Sequence, residues 1–524
     1  MLITEILARN ARMYGNETAL VERIPALEQR TEITWARFDA LANQTARGLI
    51  ERNIKKGDKV VQLMTNCLNW LPIYFGILRT GALAVPLNFR FEAGTISYCT
   101  QVAEAKMIIF GEEFIERIDA IRPDLEPGVS SYIFTGPSEK TPDYAESFDT
   151  VTADQKSDDP KVDICITDDA ALYFTSGTTG DPKAVLHTHR TLEASAITEN
   201  RHHNQTHEDN FVCIPPLYHT GAKMHWFGNF IVGAKAVILK GIEPRYILEA
   251  VSEEKATIVW LLVPWALDIL FAIENRDIRL SDYELDQWRL MHIGAQPVPK
   301  SLIQEWKKIF PHHLYDTNYG LTESTGPGCV HLGIENMHKV GAIGRPGFDW
   351  EYKIVDDKLN PLGPEMPGEL MVKGPGIMKE YYKNPEGTRE VLTDGWLCTG
   401  DVAKEDADGF IWLVDRKKDV IITGGENIYP VEIEDFLQAH PLIQDVAVIG
   451  LPSTRLGEIV AAVVKIKTGR NVSSEELVEF CSSLPRYKRP KKFIFDEVPR
   501  NPTGKIEKPV LRKKYGGQSE SFRI

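Results

Sequence analysis

The sequence predicts an α/β fold: a large N-terminal domain of strand–helix (βα) layers with a β-rich subdomain, and a small mobile α+β C-terminal domain. Three observations predict it. Apolar runs of strand length alternate with helical patterns from about residue 20 to residue 293, which is typical of parallel α/β layers. Residues 341–414 hold short apolar runs punctuated by glycine and proline, which indicates β structure. A charge cluster at residues 415–419 then precedes a unit of about a hundred residues.

The N-terminal domain opens with an amphipathic pattern at residues 1–9, which predicts a helix rather than a signal peptide because Glu5 interrupts the apolar stretch. Apolar residues at helical spacing predict helices over residues 35–52, 70–79 and 186–200. Short apolar runs predict strands over residues 59–64, 81–87, 105–110, 131–134, 170–174, 211–216, 234–239, 257–263 and 290–293. Residues 136–163 are polar, acidic and marked by prolines, and predict a surface loop.

The C-terminal unit mixes strand and helix patterns. Strands are expected at residues 420–423, 445–450, 459–466 and 493–495, and helices at residues 431–439 and 475–482. Pro430 suits the opening of the first of these helices, and Ser473 with Glu476 forms a capping-box pattern for the second. We therefore expect domains at residues 1–415 and 420–524, joined by a hinge at residues 416–419.

Composition narrows the class of protein. The 524 residues are 43% hydrophobic and 26% charged, as in a soluble globular protein. The net charge of -14 argues against a general nucleic-acid binder, which would usually be basic. The seven cysteines form no Cys-x-x-Cys pair, so we expect reduced thiols and a cytoplasmic location. No apolar segment reaches the length of about 20 residues that a membrane span needs. The sequence does not distinguish a monomer from a homodimer.

A glycine- and hydroxyl-rich segment at residues 175–183 follows the strand predicted at 170–174. Two glycines, four hydroxyl residues and one lysine occur there within nine positions. Glycines let backbone N–H groups approach an anion, hydroxyls add donors, and Lys183 adds a charge, which favours a phosphate-binding loop over a plain surface turn. The spacing is Gly-x-x-Gly-x-x-Lys with no Ser or Thr after the lysine, so the loop is not a Walker motif.

Three histidines, His202, His203 and His207, lie close together after the helix predicted at residues 186–200. A metal site is one interpretation, but we see no cysteine or carboxylate partners at ligand spacing. We therefore expect these histidines to lie at a solvated helix end.

Four further segments carry residues that suit a nucleotide site. Residues 294–297 follow a strand and could pass a flat ligand along their backbone. Residues 316–324 join an aromatic ring, a glycine, a hydroxyl and a carboxylate. Residues 395–401 end with an acid that could bind ribose hydroxyls, and residues 500–506 present a lysine on a turn.

Together these segments resemble the adenylate-forming superfamily of acyl-CoA synthetases, carrier-loading adenylation domains and beetle luciferases. The matches run from about residue 172 to Lys505, in the order that the family shows. The resemblance implies a ligase that works in two steps. A carboxylate attacks the α-phosphate of ATP to give an acyl-adenylate and pyrophosphate, and the thiol of coenzyme A then displaces AMP. It also implies Mg²⁺ as a cofactor.

The resemblance also implies roles for single residues. The pyrophosphate side of ATP would contact Thr175, Ser176, Gly177, Thr178, Thr179, Gly180 and Lys183. Glu323 would hold Mg²⁺ with the Thr175 hydroxyl, because oxygen ligands suit that ion, and Thr322 would contact the α-phosphate. Lys505 would bridge the carboxylate, the phosphate and the ribose oxygen in the first step, since a lysine brings a compact charge.

The rest of the nucleotide and CoA site follows from the same resemblance. The adenine would be framed by Gly294, Ala295, Gln296, Asp316, Thr317, Asn318, Tyr319 and Gly320. Asp401 would take the ribose hydroxyls with help from Arg416. Lys418 matches the family's hinge position, and rotation of the C-terminal domain about it would bring Gly424 and Gly425 against the pantetheine of CoA.

His219 resembles the family's gate beside the acyl-binding site. The candidate lining residues behind it are Ala222, Lys223, Trp226, Phe227, Ala295, Gly320 and residues 326–330. Trp226 and Phe227 would shorten or flatten the pocket, and Lys223 could pair with a second carboxylate or point to water. An aryl or alicyclic acid and a medium or long fatty acid both stay open as substrates.

Other functions fit part of the pattern. An adenylation enzyme that loads a carrier is the main alternative, and we expect that its carrier would be a separate protein. A non-catalytic nucleotide-binding protein is disfavoured by the intact charged residues, and a luciferase-like oxygenase shares every motif. Two positions depart from the family: Ala184 stands where glycine is common, and Ile422 stands where some members have a lysine.

Overall fold

The computed structural model describes residues 1–175, 181–294, 298–467, 469–500 and 506–516. In chain order, the helices of these residues are α1 Ile3–Tyr14, α2 Trp35–Glu51, α3 Trp70–Arg79, α4 Ala93–Ala103, α5 Ile115–Leu125, α6 Phe148–Ala153, α7 His189–His203, α8 Thr220–Phe230, α9 Pro244–Glu254, α10 Val263–Glu274, α11 Lys300–Ile309, α12 Pro385–Val391, α13 Pro430–Gln438, α14 Ser474–Phe480 and α15 Lys508–Tyr515.

The strands are shorter and more numerous. They are β1 Thr18–Ile24, β2 Gln29–Thr34, β3 Lys59–Leu63, β4 Leu83–Pro86, β5 Met107–Phe110, β6 Ser131–Phe134, β7 Glu146–Ser147, β8 Asp169–Thr175, β9 Lys183–Thr188, β10 Asn210–Cys213, β11 Lys235–Leu239, β12 Ile258–Leu262, β13 Leu290–Gly294, β14 Leu314–Asp316, β15 Asn318–Leu321, β16 Gly326–His331, β17 Arg345–Pro346, β18 Glu351–Val355, β19 Gly368–Lys373, β20 Glu380–Tyr381, β21 Leu392–Thr393, β22 Trp396–Glu405, β23 Ile411–Arg416, β24 Ile421–Thr423, β25 Glu426–Ile428, β26 Ile443–Ser453, β27 Gly457–Ile466 and β28 Lys492–Phe495.

Two large sheets form the βα layers. One has eight strands in the order β20-β9-β8-β4-β3-β5-β6-β7, parallel from β8 to β7. The other has seven strands in the order β14-β13-β12-β10-β11-β1-β2, parallel except for the antiparallel β1–β2 pair. The predicted parallel α/β layers are therefore confirmed.

Helices α2, α3 and α8 contribute to a core that also includes side chains of both large sheets. The core is rich in aromatic rings: the ring of Phe75 lies 6.4 Å from that of Trp226 and 5.2 Å from that of Phe230. The rings of Phe75 and Trp226 pack edge to face, an arrangement that stabilises a core beyond the burial of apolar area. The helix that follows His219 is thus firmly packed along its length.

The predicted β-rich subdomain is present between the layers and the C-terminal domain. Its main sheet has the order β18-β19-β22-β21, with β23 paired to β22, and strands β15, β16 and β17 form a smaller sheet. Strand β22 carries residue 401 and pairs with β23, which carries residue 416.

The smaller C-terminal domain is also confirmed. Its sheet has the order β25-β24-β27-β26, with β28 on β27, and it has its own apolar core around Ile433, Leu437 and Val448. The predicted capping box forms, because the Ser473 hydroxyl accepts the Glu476 N–H at 3.2 Å and the Glu476 carboxylate accepts the Ser473 N–H at 2.7 Å.

Two expectations for the N-terminal domain were wrong. The helix predicted from residue 186 begins at His189, and residues 183–188 form strand β9, because Thr188 caps the helix and the apolar run before it pairs with β8. The surface loop predicted at residues 136–163 contains helix α6, whose Val151 is buried against Gly48. A Cβ on Gly48 would lie 2.6 Å from the Val151 carbonyl oxygen, so the missing side chain permits this approach.

Candidate active site

The predicted phosphate loop begins and ends at paired strand ends. Thr175 ends β8 and Lys183 begins β9, and the two residues are direct partners in the antiparallel register. This hairpin differs from a strand–loop–helix motif, since a strand follows the loop. Residues Ser176, Gly177, Thr178, Thr179 and Gly180 lie outside the described residues.

Tyr381 joins two of the predicted site residues, and sequence reasoning missed it. Its hydroxyl donates a hydrogen bond of 2.7 Å to Glu323 Oε1. The Lys183 ammonium lies 4.7 Å from the centre of the Tyr381 ring, which is within cation–π range. Strand β20 brings Tyr381 here because it pairs with β9, opposite Val185. Lys183 and Glu323 therefore contact the same tyrosine.

The Thr322–Ser324 turn is held from two sides. His187 Nε2 lies 2.8 Å from the Thr322 carbonyl oxygen, and the Met378 N–H donates to the Glu323 carbonyl oxygen at 2.8 Å. Just beyond the turn, Gly326 has φ +93°, and a Cβ there would lie 3.1 Å from the Thr220 backbone. The turn therefore lies against the start of α8, next to His219, whose Nδ1 accepts the Gly221 N–H at 3.1 Å.

Asp401, Arg416 and Tyr319 form the second predicted group. Asp401 is buried; its Oδ1 lies 3.0 Å from Arg416 Nε, and its Oδ2 accepts the Tyr319 hydroxyl at 2.5 Å. The Asp401 carboxylate raises the pKa of the Arg416 guanidinium. The register of β22 and β23 places the acid and the arginine opposite each other, so the predicted ribose pair lies together.

A cleft of about 180 Å³ lies between Glu323 and the residues just before Asp401. Its lining includes Leu321, Glu323, Tyr381, Thr399 and Gly400, so Glu323 lies at one part of it and the residues just before Asp401 at another. Three glutamates line this cleft: Glu323, Glu369 and Glu390. Such a carboxylate-rich cleft would suit a triphosphate only together with cations.

The predicted adenine-framing residues divide into three groups. Thr317, Asn318, Tyr319 and Gly320 follow one another at the end of β14 and in β15, and Gly294 ends the neighbouring strand β13. Ala295 and Gln296 lie outside the described residues. The Asp316 carboxylate is fully buried and accepts the Gly333 N–H at 2.8 Å, so its contacts lie within the protein.

The predicted acyl-pocket residues on α8 are all buried. Ala222, Trp226 and Phe227 belong to the aromatic core, and Trp226 packs on Phe38 and Phe75. These contacts account for both large side chains without a ligand, so they give no support to a pocket shortened by Trp226 and Phe227.

Lys223 lies among three aromatic rings. Its ammonium nitrogen is 4.2 Å from the ring centre of Tyr173, 4.5 Å from that of Tyr74 and 5.6 Å from that of Trp70. The side chain is fully buried, and Nζ has no hydrogen-bond partner among the described residues. Burial lowers the pKa of Lys223 well below its ordinary value of 10.5. Lys223 therefore does not point to water.

We expect Lys223→Met to raise the free energy of unfolding by about 1–3 kcal/mol near neutral pH, because it removes a buried amine that lacks a partner. The unfolded chain binds a proton here that the folded chain does not, so native stability rises with pH toward 10.5. The advantage of the variant should therefore shrink by up to about 1.4 kcal/mol per pH unit. Urea unfolding at neutral and alkaline pH measures the difference in free energy of unfolding between the variant and the native chain. Lys308→Met, at an exposed lysine, is the control. A Lys223→Met chain that is less stable than the native chain at neutral pH would contradict the prediction.

A cluster of histidines and carboxylates lies beside Asn318. We call Glu199, His203, His225, His292, Asp316 and His331 the histidine cluster; each is at most 2% exposed. The expectation of a solvated helix end was wrong for His203, because α7 turns that residue toward the sheet, where Nε2 lies 2.7 Å from Asp316 Oδ2. Asn318 Nδ2 donates to Glu199 Oε1 at 2.9 Å, which connects the cluster to β15.

One signal in the sequence could have revealed this cluster. Parallel strands that are covered on both faces are usually continuous apolar runs, yet β13 contains His292 and β14 ends at Asp316. These two residues are direct register partners. Glu199 and His203 are also four residues apart on α7, so they share one helix face.

The predicted hinge lies between two acids that contact the C-terminal domain. Asp415 Oδ2 accepts the Val431 N–H at 2.9 Å, and Asp419 Oδ1 lies 2.8 Å from Arg512. Lys418 is exposed between them. Gly424 and Gly425, with φ +58° and +89°, form an exposed turn between β24 and β25. Lys505 lies outside the described residues.

Comparison with known proteins identifies the family to which the chain belongs. The description "AMP-binding enzyme" matches residues 7–382, and "AMP-binding enzyme C-terminal domain" matches residues 432–505. The chain is 33% identical over 514 residues to a protein of Mycobacterium tuberculosis (strain ATCC 25618 / H37Rv) named long-chain-fatty-acid–CoA ligase FadD13, covering 97% of this chain and 98% of that protein. In the described ranges, no helix has the length and apolar character needed to cross a bilayer.

Two solved structures are similar over nearly the whole chain. The anthranilate CoA ligase AuaEII in complex with anthranoyl-AMP has a TM-score of 0.88 and 25% identity, covering 98% of this chain and 97% of that one. The O-succinylbenzoate coenzyme A synthetase of Bacillus subtilis, in complex with ATP and a magnesium ion, has a TM-score of 0.82 and 26% identity, covering 97% and 99%. The chain therefore belongs to the AMP-binding enzyme family, and the prediction of an adenylate-forming acyl-CoA synthetase is confirmed.

Proposed function

We propose that the protein activates a carboxylic acid in the cleft between Glu323 and Asp401, forms an acyl-adenylate from ATP, and transfers the acyl group to CoA. The observation that carries this proposal is the placement of Tyr381 and Glu323 on one part of the cleft, with Lys183 over the Tyr381 ring, and of Gly400, next to Asp401, on another part. A cationic and carboxylate-bearing part suits polyphosphate with a metal ion, and an acid next to an arginine suits ribose hydroxyls.

Catalysis of the first step, acyl-adenylate formation, depends on correctly positioned charged groups more than on a covalent nucleophile of the protein. Lys183 and the loop before it would bind the leaving pyrophosphate. Thr175 and Glu323 would hold Mg²⁺, and the hydrogen bond from Tyr381 to Oε1 would orient the Glu323 carboxylate. Bound there, the ion would neutralise phosphate charge. Thr322 would contact the α-phosphate, and Lys505 would stabilise the negative charge that develops on it.

The nucleoside would be positioned by the second group. Asp401 would accept both ribose hydroxyls, since Arg416 and Tyr319 fix its carboxylate. Adenine would lie along residues 294–296 and 316–320. His219 would close the acyl side of the cleft, because its position is fixed at the start of α8.

The second step would use the hinge at residues 416–419. Rotation about Lys418 would withdraw Lys505 and bring Gly424 and Gly425 toward the thiol-bearing arm of CoA. In the described pose that glycine turn is exposed, and Asp415 and Asp419 hold the C-terminal domain through Val431 and Arg512. Domains at residues 1–415 and 420–524 are part of this proposal, as is a cytoplasmic location.

The substrate would be a fatty or an aryl acid. The relative from Mycobacterium tuberculosis is named for long-chain fatty acids and the structural neighbour AuaEII for anthranilate, so the two classes predicted from sequence both keep support. The buried position of Lys223 among aromatic rings gives no support to its pairing with a second carboxylate. Loading of a separate carrier protein remains the alternative for the acceptor.

The test is pyrophosphate release from ATP and Mg²⁺ over a panel of fatty and aryl acids, with and without CoA. Sustained turnover that requires CoA and one acid class is the expected result and names the substrate. A burst of about one equivalent despite CoA would indicate a different acceptor. No release with any acid would contradict the proposal.

A further inference from the structure

The histidine cluster is a second site that the reaction does not use. It lies among α7, α8 and strands β13, β14 and β16, and its six members are at most 2% exposed. Burying two carboxylates and four imidazoles is unfavourable unless each polar atom finds a partner or a metal ion. Two of the imidazoles lie near one oxygen of the Asp316 carboxylate, and this grouping favours a metal ion.

We propose that His203, His292 and Asp316 bind a zinc-type divalent metal ion. His203 Nε2 lies 2.7 Å and His292 Nδ1 lies 3.7 Å from Asp316 Oδ2, and one ligand atom of each residue lies within 4.8 Å of the others. Ligands about 2.0–2.1 Å from a tetrahedral ion are about 3.3 Å apart. The two measured separations bracket that value, and the two imidazole nitrogens, within 4.8 Å of each other, would have to lie at about the same spacing in the metal-bound site.

The outer atoms of two of the three ligands are hydrogen-bonded, and the outer atom of the third lies near a carboxylate. His203 Nδ1 lies 3.6 Å from Glu199 Oε2, His292 Nε2 lies 2.6 Å from His225 Nε2, and Asp316 Oδ1 accepts the Gly333 N–H at 2.8 Å. A carboxylate, a basic nitrogen or a backbone group behind each ligand is the usual surrounding of a protein-bound metal, because it fixes the orientation of the ligand.

A hydrogen-bonded network without metal explains these side chains less well. His203 Nδ1, His292 Nδ1 and Glu199 Oε2 have no hydrogen-bond partner among the described residues, although all three are fully buried. A buried polar atom without a partner destabilises the folded chain. A metal ion would give His292 Nδ1 a bond and would stabilise the Asp316 carboxylate together with His331, whose Nδ1 lies 3.3 Å from Asp316 Oδ2.

The ligand set favours one class of ion. Two imidazoles and one carboxylate suit zinc and its neighbours among the divalent transition metals, whereas magnesium and calcium prefer oxygen ligands throughout. The ion would tie α7 to the middle of β13 and the end of β14, and residues 294 and 316–318 continue from these strands toward the proposed adenine site. Three protein ligands leave the fourth position of a tetrahedral ion to a water molecule. We assign the ion a role in holding α7 against β13 and β14, which does not depend on the proposed reaction.

Metal analysis of the native chain tests the proposal directly. The chain is purified with a tag that binds no metal, and bound metals are measured by mass spectrometry. We expect about one zinc ion per chain, strong loss in His203→Ala, and full retention in His312→Ala, which removes an exposed histidine. Glu199→Gln should weaken binding about 10–100-fold in a competition with a chelator.

Cobalt provides a second readout that does not depend on a variant folding. The native chain, stripped and reloaded with Co²⁺, should show the visible absorption bands of a tetrahedral nitrogen–oxygen site, and its unfolding temperature should rise. A native chain with no bound zinc, no cobalt bands and no change in unfolding temperature would overturn the proposal and leave a metal-free network.

Discussion

Lys505→Ala is expected to slow acyl-adenylate formation by about 10²–10³-fold. The reason is electrostatic: the oxygens on the α-phosphate become more negative as the carboxylate attacks, and the compact ammonium that would face them is removed. Rapid-quench measurement of pyrophosphate release with a single turnover of ATP reports this step. Lys505→Arg should recover only part of the rate, since a planar guanidinium cannot replace a point charge.

The same variant should keep most of its activity in the second step. When the acyl-adenylate is supplied, transfer to CoA no longer needs Lys505 if rotation about the hinge has withdrawn it. Lys513→Ala, which removes an exposed lysine of the same domain, is the control for a general loss of positive charge. If Lys505→Ala lowered the rates of both steps equally, this result would contradict a separate role of the residue in adenylation.

The fold was largely predictable because its signals are local. The apolar spacing of α3 and the apolar run of β6 predicted both elements with their observed bounds. The start of α7 was missed because residues 186–188 continue an apolar strand and also fit a helical pattern, and only the pairing of β9 with β8 decides between them. Helix α6 was missed since its burial depends on Gly48, about a hundred residues away.

The candidate site was predictable where family motifs carry it and not where it depends on packing. Asp401 and Arg416 lie on paired strands as their motifs suggested. Tyr381 belongs to no quoted motif; a two-residue strand at the edge of a sheet brings it to Glu323, 58 residues away in sequence. His203 reaches Asp316 across 113 residues. Contacts of this kind depend on tertiary structure.

Glu323→Gln is expected to lower the rate of acyl-adenylate formation by about 10²-fold or more, because it removes the carboxylate charge that would hold Mg²⁺ against the phosphates. The amide keeps the shape of the side chain and can still accept from Tyr381, so the fold should remain. Pyrophosphate release measured over a range of Mg²⁺ concentrations gives the result: the concentration for half-maximal rate should rise together with the loss of rate.

Tyr381→Phe separates the orientation of Glu323 from its charge. The substitution removes the hydroxyl that donates to Glu323 Oε1 and keeps the ring that faces the Lys183 ammonium. Removing the hydrogen-bond partner of a metal ligand typically lowers metal affinity about 10–100-fold. This variant should therefore need about tenfold more Mg²⁺ for its half-maximal rate. At saturating Mg²⁺ its rate should approach the native rate. Tyr382→Phe, which removes the neighbouring hydroxyl that contacts Glu104, is the matched control.

The pair of variants therefore decides how the cleft binds its metal. If the hydroxyl acts only by fixing the carboxylate, excess Mg²⁺ restores Tyr381→Phe but leaves Glu323→Gln impaired, because a weak ligand can be saturated and a missing charge cannot. Identical Mg²⁺ dependence in Tyr381→Phe and Tyr382→Phe would mean that the hydrogen bond to Glu323 does not orient a ligand. A native Mg²⁺ dependence in Glu323→Gln would mean that the ion is held by other oxygens of the cleft. Its other carboxylates are Glu390 and Glu369, and Glu369 is already paired with Lys417.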